Sequence, residues 1–451
     1  MLLPSKMKTS LKQLVKFYLV IFPTCFGAFL VVYFAEKKVS LSIQTRDQTV
    51  HCDCNESYTR PDPKETLSIC SSDPQDDPLV NPLSKFYSVW YDPPTEKTLT
   101  KPEKVKIVFW TDLWNNHLRK KLPKGNRSLC PRFPNCIFSK YRDEIHEADA
   151  VIFENSNLPK DYNSSLMPTV RYPHQHSVWL STECPNYPSI NFETYRGVFN
   201  WTITYRADSD SLGGWGSLYE TYQRLKDEGV DPMKDYTEGK KKLAVWFISK
   251  CNTQANRIAY ATELVKHMHV DVYGGCGKND VCAKWKIKCM PKVIRQYKFY
   301  LAFENMKCKE YITEKFWRNA LENDVVPVVL GANRSDYERL APPHSFIHVD
   351  DFTSPKELAN YLKMLDQDKD KYNAYFKWKT TPPKNMPLDE GRWCNLCREL
   401  LERCPTKRKV YTDLRTWFEG ENLSMCDPKE NVKYQELRFV ENHFELAHQT
   451  N

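Results

Sequence analysis

Short apolar runs alternate with helical patterns along most of the chain. The runs are rich in Val, Ile, Phe and Trp, as buried strands are, and they occupy residues 104–110, 148–154, 242–250, 270–273, 297–303, 325–330 and 345–349. A helical pattern follows the third run at residues 254–267. Strands that alternate with helices predict parallel sheets, and two such series, separated near residues 227–239, predict two Rossmann-like α/β domains. Their predicted bounds are 102–230 and 240–420, with a C-terminal tail at 421–451 and substrate in the cleft between the domains.

The N-terminal segment has a different pattern. Residues 17–35 carry no charge, and at about 1.5 Å per residue they just span a bilayer core of about 30 Å. Because four lysines precede this stretch, the positive-inside rule predicts a single transmembrane signal-anchor with residues 1–16 in the cytoplasm. A cleaved signal peptide is the alternative, but its apolar region would be unusually long and no small-x-small site follows. Residues 36–101 are rich in Pro, Asp, Ser and Thr and predict a stem.

Cysteines and glycosylation sequons indicate an oxidising, lumenal environment. Fifteen of the 16 cysteines follow the predicted anchor, which implies several disulfides. The sequence also contains six N-x-S/T sequons, at Asn55, Asn126, Asn163, Asn200, Asn333 and Asn422. Cys52, Cys54 and Cys70 lie in the predicted stem, and a covalent homodimer through them is a hypothesis.

Composition and charge exclude two classes of protein. With 41% hydrophobic and 13% aromatic residues, the chain can build substantial cores, which argues against a mostly disordered protein. The net charge of +8 is spread along the chain and does not form the basic stripe typical of nucleic-acid binding. An anionic nucleotide substrate explains local positive charge equally well.

The loop after the run at 297–303 carries the densest set of candidate binding residues. Glu304 and Asn305 follow the apolar run, and Tyr311, Thr313, Glu314 and Lys315 precede a helical pattern. A strand end that feeds a helix start suits phosphate, because backbone N–H groups and the positive end of the helix dipole meet there. Lys315 adds a full positive charge in the predicted first turn. The sequence therefore predicts a site for a nucleotide-sugar donor.

Four blocks of sequence carry a resemblance to a known family. FEN at 303–305, YITEK at 311–315, VVPVVLGA at 325–332 and SFIHVDDF at 345–352 are similar to the donor-binding signature of the α-1,3-fucosyltransferases. The resemblance covers roughly residues 104–417. It implies two Rossmann-like domains in the GT-B arrangement, GDP-fucose as donor, and inverting transfer of L-fucose to an N-acetylglucosamine. It also implies that no cofactor is required and leaves stimulation by Mn²⁺ or another divalent cation open.

The resemblance also implies roles for individual residues. TECP at 182–185 resembles the family's ESP motif, which makes Glu183 the general base, with Cys184 in place of the usual serine. Arg257 and Lys315 are expected to bind the diphosphate, since a guanidinium fork and an ammonium group both suit phosphate. Asn305, Tyr311 and Glu314 match positions that contact nucleotide, ribose or fucose. Glu304 and Thr313 are expected to support this site, and Glu304 is equally compatible with a structural carboxylate.

Two other signals have alternative interpretations. Asp208 and Asp210 resemble a DxD metal motif, which would suit a Mn²⁺-dependent transferase, whereas the resemblance favours basic residues in that role and no metal site. Cys394 and Cys397 have the spacing of half a zinc site, but an oxidising lumen favours structural disulfides. Candidate partners for this pair are Cys276, Cys282, Cys289 and Cys308.

Together these inferences predict a Golgi type II membrane glycoprotein with a lumenal catalytic head. Its acceptor is expected to be a glycoprotein glycan or oligosaccharide. Residues 154–157 read ENSN where the Lewis-type members of the resembled family have paired histidines. This departure argues against a Lewis-type acceptor and leaves the N-glycan core or a LacdiNAc unit, with a LacNAc unit as a further candidate. A catalytically silent, lumenal glycan-binding protein is a second hypothesis, and the joint presence of Glu183, Arg257, Glu314 and Lys315 argues against it.

Overall fold

The description that follows rests on a computed structural model of the chain. It describes residues 88–91, 102–112, 128–172, 174–185, 190–249, 257–277, 282, 289–402, 408–421, 424–427, 437–440 and 443–446. All of them belong to one unit by their internal contacts. None of the helices in these ranges combines the length and the apolar character that crossing a membrane requires. The predicted anchor and most of the predicted stem lie outside the described residues.

The first sheet contains six parallel strands in the order β3-β2-β4-β5-β6-β7. The strands are β2 (Val105–Phe109), β3 (Cys136–Ser139), β4 (Ala150–Glu154), β5 (His176–Leu180), β6 (Trp201–Thr204) and β7 (Ser211–Leu212). The predicted runs at 104–110 and 148–154 correspond to β2 and β4, which are buried along nearly their whole length. Burial on both faces is expected for a parallel sheet that is covered on each side.

The second sheet contains five parallel strands in the order β12-β11-β10-β8-β9. The strands are β8 (Lys242–Phe247), β9 (Val270–Tyr273), β10 (Tyr297–Phe303), β11 (Val326–Leu330) and β12 (Ile347–His348). When the strands of each sheet are numbered from one in chain order, the spatial order is 2-1-3-4-5-6 in the first sheet and 2-1-3-4-5 in the second. This shared order places a topological switch point between strands one and three of each sheet. Ligands of open α/β sheets bind at the carboxyl edge near such a point.

Helices cover the sheets and connect their strands. They are α1 (Leu218–Glu228), α2 (Arg257–Leu264), α3 (Met290–Ile294), the π-helix (Lys315–Ala320), α4 (Arg334–Leu340), α5 (Pro355–Gln367), α6 (Lys369–Ala374), α7 (Arg392–Glu402) and α8 (Leu414–Glu419). The helix predicted after residue 313 is present, but its first turns are π-helical and a short 3₁₀ segment ends it at Asn323. Single π-turns inside helices are frequent at functional sites.

Two pairs of strands lie outside these sheets. Strand β1 (Ser88–Tyr91) pairs antiparallel with β13 (Arg408–Tyr411), so part of the segment predicted as stem belongs to the folded head. A hairpin of β14 (Leu437–Val440) and β15 (His443–Leu446) lies in the predicted tail.

The segment from α7 to α8 packs on the first sheet, although it lies within the range predicted for the second domain. Leu396 and Leu400 of α7 join the core on one face of that sheet, and Trp417 and Phe418 of α8 join the core on the other. The first domain is therefore discontinuous in sequence.

Disulfides connect the same segment to the first domain. Cys394 pairs with Cys130 and Cys397 with Cys136, which confirms disulfides in preference to a zinc site. The partners expected from the sequence were wrong, because α7 lies beside β2 and the loop before β3 and not in the second domain. Two of those candidates, Cys282 and Cys289, pair with each other, and Cys308 pairs with Cys426.

Candidate active site

Glu304 organises the loop that follows β10. It is fully buried, and its backbone N–H continues the sheet by donating to the carbonyl of Leu330 at 2.7 Å. Its carboxylate accepts from the backbone N–H of Thr313 at 2.8 Å, from the Thr313 hydroxyl at 2.8 Å and from Lys315 Nζ at 2.8 Å. An added Cβ at Gly331 would lie 2.7 Å from Glu304 Cγ, so glycine provides the space for this side chain. Glu304 thus connects the end of β10 to the start of the π-helix.

Lys315 is held as a cation beside this carboxylate. Its Nζ contacts Glu304 Oε2 at 2.8 Å, the Thr313 hydroxyl at 2.8 Å and Glu314 Oε1 at 3.4 Å. Burial lowers the pKa of Lys315, but Glu304 and Glu314 raise it by more, so the net shift is upwards. Burial raises the pKa of Glu304, while Lys315 and the N–H of Thr313 oppose that change. Lys315 is therefore held as a cation at the carboxyl edge of the second sheet, beside the buried Glu304 carboxylate.

Arg257 lies in the same group, at the start of α2. Its Nη1 donates to the carbonyl of Phe303 at 2.9 Å, and its guanidinium lies 5.9 Å from the ring centre of Trp246. Only 3% of its surface is exposed. Burial lowers its pKa to about 10, which Glu304 and Tyr311 partly offset, so the group stays charged at neutral pH. The structure therefore places Arg257 and Lys315 together at the end of β10, and each of them stays positively charged.

Glu183 reaches this group from the other domain. It follows β5 at the carboxyl edge of the first sheet, and its Oε2 accepts a hydrogen bond from the hydroxyl of Tyr311 at 3.2 Å. Tyr311 is almost fully buried, and burial together with nearby Cys184 and Glu183 raises its pKa well above the usual value. Tyr311 therefore stays protonated and remains a donor. The hydrogen bond joins the expected base to the expected donor loop across the junction of the two domains.

Cys184 forms a second contact across the same junction. It is a buried cysteine, and the amide Nδ2 of Asn305 approaches its sulfur at 3.9 Å. Sequence reasoning placed Glu183 and Asn305 in separate domains and did not anticipate this contact. The segments that follow the carboxyl ends of strands in the two sheets meet here.

Two family models match the chain where these two domains lie. The model of glycosyltransferase family 10 (fucosyltransferase), C-terminal part, matches residues 237–417, and that of the fucosyltransferase N-terminal part matches residues 102–216. Together they cover both sheets and both halves of the site. The chain is a family 10 fucosyltransferase.

Relatives of this fucosyltransferase resemble it over most of their length. It is 35% identical over 368 residues to glycoprotein 3-alpha-L-fucosyltransferase A of Drosophila melanogaster, an alignment covering 80% of this chain and 68% of that one. It is 36% identical to 3-galactosyl-N-acetylglucosaminide 4-alpha-L-fucosyltransferase FUT3 of Pongo pygmaeus, covering 72% and 82% of the two chains. A crystal structure of an alpha1,3-fucosyltransferase, 20% identical, superimposes with a TM-score of 0.41 over 69% of this chain and 91% of that one.

The two aspartates that resemble a metal motif form ion pairs with basic side chains of the same protein. Asp208 forms an ion pair with buried Arg206. Asp210 accepts from the N–H of Thr202 at 2.9 Å and the hydroxyl of Tyr411 at 2.9 Å, and pairs with buried Lys409. Both carboxylates are therefore balanced by side chains that fix β6 and β13. Across the described residues, no three His, Cys, Asp or Glu side chains are grouped as a metal site requires.

The residues that replace the paired histidines form a closed polar turn after β4. The carboxylate of buried Glu154 accepts from the Ser156 hydroxyl at 2.6 Å and from Asn157 Nδ2 at 2.8 Å. The hydroxyl of Thr111, which follows β2, accepts from the N–H of Glu154 at 2.6 Å. This turn lies at the switch point of the first sheet, where that domain is expected to bind its own ligand.

Proposed function

We propose that this chain transfers L-fucose from GDP-fucose, in α-1,3 linkage, to an N-acetylglucosamine of a glycoprotein glycan. The observation that carries the proposal is the hydrogen bond between Glu183 and Tyr311, because it brings a carboxylate of one domain to the cationic donor loop of the other. The Drosophila relative is named as a glycoprotein 3-alpha-L-fucosyltransferase, and a solved alpha1,3-fucosyltransferase is described with GDP-fucose. The acceptor class is the N-glycan core or a LacNAc or LacdiNAc unit.

The proposed reaction is a single displacement with inversion. The acceptor oxygen attacks the anomeric carbon of fucose, the bond to the diphosphate breaks, and Glu183 takes the proton of the acceptor hydroxyl. Charge builds on the departing diphosphate, and Lys315 and Arg257 stabilise it as preformed cations. Tyr311 orients the Glu183 carboxylate as a neutral donor. Asn305 and Glu314 are proposed to contact the nucleotide sugar, with Glu304 and Thr313 as their support.

We propose that the enzyme acts in the Golgi lumen as a type II membrane glycoprotein. The charge-free stretch at 17–35, the cysteine content and the disulfides of the head support this location. A homodimer through Cys52, Cys54 and Cys70 stays a prediction, since these residues lie outside the described ranges.

Two alternative functions have distinct signatures. A Mn²⁺-dependent transferase would need Asp208 and Asp210 free to bind metal, and their pairing with Arg206 and Lys409 favours the reaction with basic residues. Activity that EDTA abolishes and Mn²⁺ restores would nevertheless support a Mn²⁺-dependent transferase. A silent glycan-binding protein would bind GDP or glycan without turnover.

The test incubates the purified full chain with GDP-fucose and a panel of N-glycans and LacNAc and LacdiNAc oligosaccharides, with mass and linkage analysis of the products. We expect addition of one α-1,3-linked fucose to one acceptor class. Glu183→Gln should bind GDP normally and lose turnover, whereas Lys315→Ala should weaken GDP binding. Loss of GDP binding in the glutamine variant would show that Glu183 is not the base.

A further inference from the structure

A short loop carries the chain from the first domain to the second. It comprises residues 213–217, between β7 and α1, reads GGWGS, and is called the crossing loop here. Arg392 of α7 fixes its beginning by donating to the carbonyl of Gly213 at 2.9 and 3.1 Å. Ser217 fixes its end, since its hydroxyl accepts from the N–H of Glu220 and caps α1.

The crossing loop contacts the segment that holds the proposed base. The indole Nε1 of Trp215 donates to the carbonyl of Thr182 at 3.0 Å. Thr182 directly precedes Glu183 and lies beyond the end of β5, so the sheet ladder does not fix this peptide. The hydrogen bond from Trp215 therefore restrains the peptide between Thr182 and Glu183, and so the position of the Glu183 backbone.

The same loop also lies against the donor loop's helix. An added Cβ at Gly216 would lie 2.6 Å from Cγ of Trp317, which means that the Gly216 backbone rests directly on the indole ring. Trp317 is buried in the π-helix that begins with Lys315. Adjacent residues of one loop thus touch the base segment of one domain and the cation-bearing helix of the other.

We propose that Trp215 is a positioning residue, which sets the Glu183 carboxylate relative to the donor loop through its hydrogen bond to Thr182. The inference rests on the proposed role of Glu183. Trp215 acts on the rate of transfer and not on donor binding, because Thr182 and Glu183 belong to the domain opposite the Lys315 group. Gly216 keeps the crossing loop in contact with the π-helix, so that a displacement of the π-helix also displaces the loop that holds Thr182.

The test compares Trp215→Phe with wild type in the full chain, using GDP-fucose and the acceptor of the activity assay. Phenylalanine removes the N–H donor and keeps an aromatic ring. We expect kcat to fall about 10- to 100-fold, since a misplacement of about 1 Å can cost that much, while KM for GDP-fucose and Kd for GDP stay within about threefold. Trp378→Phe is the matched control, because its buried indole N–H has no hydrogen-bond partner among the described residues; its kcat should be unchanged.

A double variant separates positioning from general loss of structure. In the Glu183→Gln background the base is already absent, so Trp215→Phe should lower the residual rate by less than about twofold. A further 10- to 100-fold fall in kcat in that background, an unchanged kcat in the single variant, or failure of the single variant to fold would each overturn the proposal.

Gly216→Ala, which forces the crossing loop off Trp317, should also lower kcat. An unaffected kcat in this variant would contradict the coupling of the two domains through the loop. Wild-type turnover of Glu183→Gln alone would instead refute the proposed base.

Discussion

At the scale of single residues, Glu304 shows how a carboxylate in a donor loop can serve structure. The sequence left its role open between ligand contact and support. Its full burial and its bonds to Thr313 and Lys315 favour support, because both carboxylate oxygens are engaged within the loop. The residues expected to meet the substrate then depend on this one side chain for their positions.

Replacing Glu304 by Gln tests that dependence. The variant leaves the buried Lys315 ammonium without its main countercharge, and breaking a buried pair costs about 3–5 kcal/mol. We expect a fall of that order in the free energy of unfolding, measured by urea titration, together with weaker GDP binding. Glu314→Gln is the control: its partly exposed carboxylate lies 3.4 Å from the same ammonium, and less than about 1 kcal/mol should be lost. Equal losses in the two variants would contradict a structural role specific to Glu304.

The sequons differ in how far their asparagine side chains are exposed to solvent. Asn163 and Asn333 are exposed, whereas Asn200 is buried and its Oδ1 accepts from the N–H of Ser177 at 2.7 Å. We expect Asn163→Gln and Asn333→Gln each to remove one glycan mass from the full chain purified from a eukaryotic expression host. Asn200→Gln should leave glycan mass unchanged and lower stability by about 1–3 kcal/mol, because a buried donor loses its partner. A glycan found on Asn200 of the folded protein would contradict this assignment.

At the scale of elements, the accuracy of sequence reasoning follows how apolar each strand is. β9 and β10 lie where the apolar runs at 270–273 and 297–303 predicted them. β6 was missed because Thr202 and Thr204 are fully buried polar residues, satisfied by Asp210 and Ser209, and they interrupt the apolar run. The π-turns after Thr313 could not be foreseen, since a local helical pattern does not specify how the backbone accommodates Glu304 and Gly331.

The turn that precedes β11 carries a pH-dependent ion pair. Asp324 adopts a left-handed conformation with φ 57°, and its carboxylate pairs with buried Lys379 and with Lys234. Burial alone would raise the pKa of Asp324, but the two lysines outweigh it and the net pKa is lowered. A lowered folded pKa means that the stabilisation is fully present above the unfolded value of about 3.9 and is lost as the pH falls through the folded value.

Asp324→Asn tests this pair, because Asn tolerates the left-handed conformation. We expect a loss of about 2 kcal/mol in unfolding free energy at pH 7 and a shrinking difference from wild type as the pH falls below about 4. Urea titrations across pH 3–7 would measure both. A difference that stays constant down to pH 3 would mean that the carboxylate charge does not contribute. Lys234→Met removes the more exposed partner and should cost less than about 1 kcal/mol.

At the scale of the whole molecule, the two parallel sheets were predictable and the path of the chain between them was not. The alternation of strands and helices was enough to predict two parallel sheets. It did not indicate that α7 and α8 return to the first sheet, because an amphipathic helix does not specify which sheet it covers. The contact between Glu183 and Tyr311 likewise depends on tertiary geometry, although both residues were identified from the sequence.

A fragment of residues 88–230 tests how far the first domain depends on this return. Without α7 and α8, both faces of its sheet lose buried partners, including Leu396 and Trp417. We expect no cooperative urea transition from the fragment alone. Joining residues 389–427 to it through a flexible linker should restore one. A cooperative transition in the shorter fragment would show that the first domain folds without the returning segment.

The crosslinks of α7 also constrain the order of events during synthesis. Cys130 and Cys136 are separated from their partners by 264 and 261 residues. At about 5–20 residues per second, Cys394 and Cys397 are synthesised roughly 13–50 s after Cys130 and Cys136. During that interval the second domain is made in full, including Cys282, Cys289 and Cys308. Any oxidation of Cys130 or Cys136 in this time yields a non-native pair, so maturation of the enzyme requires that these thiols stay reduced or that early pairs be exchanged.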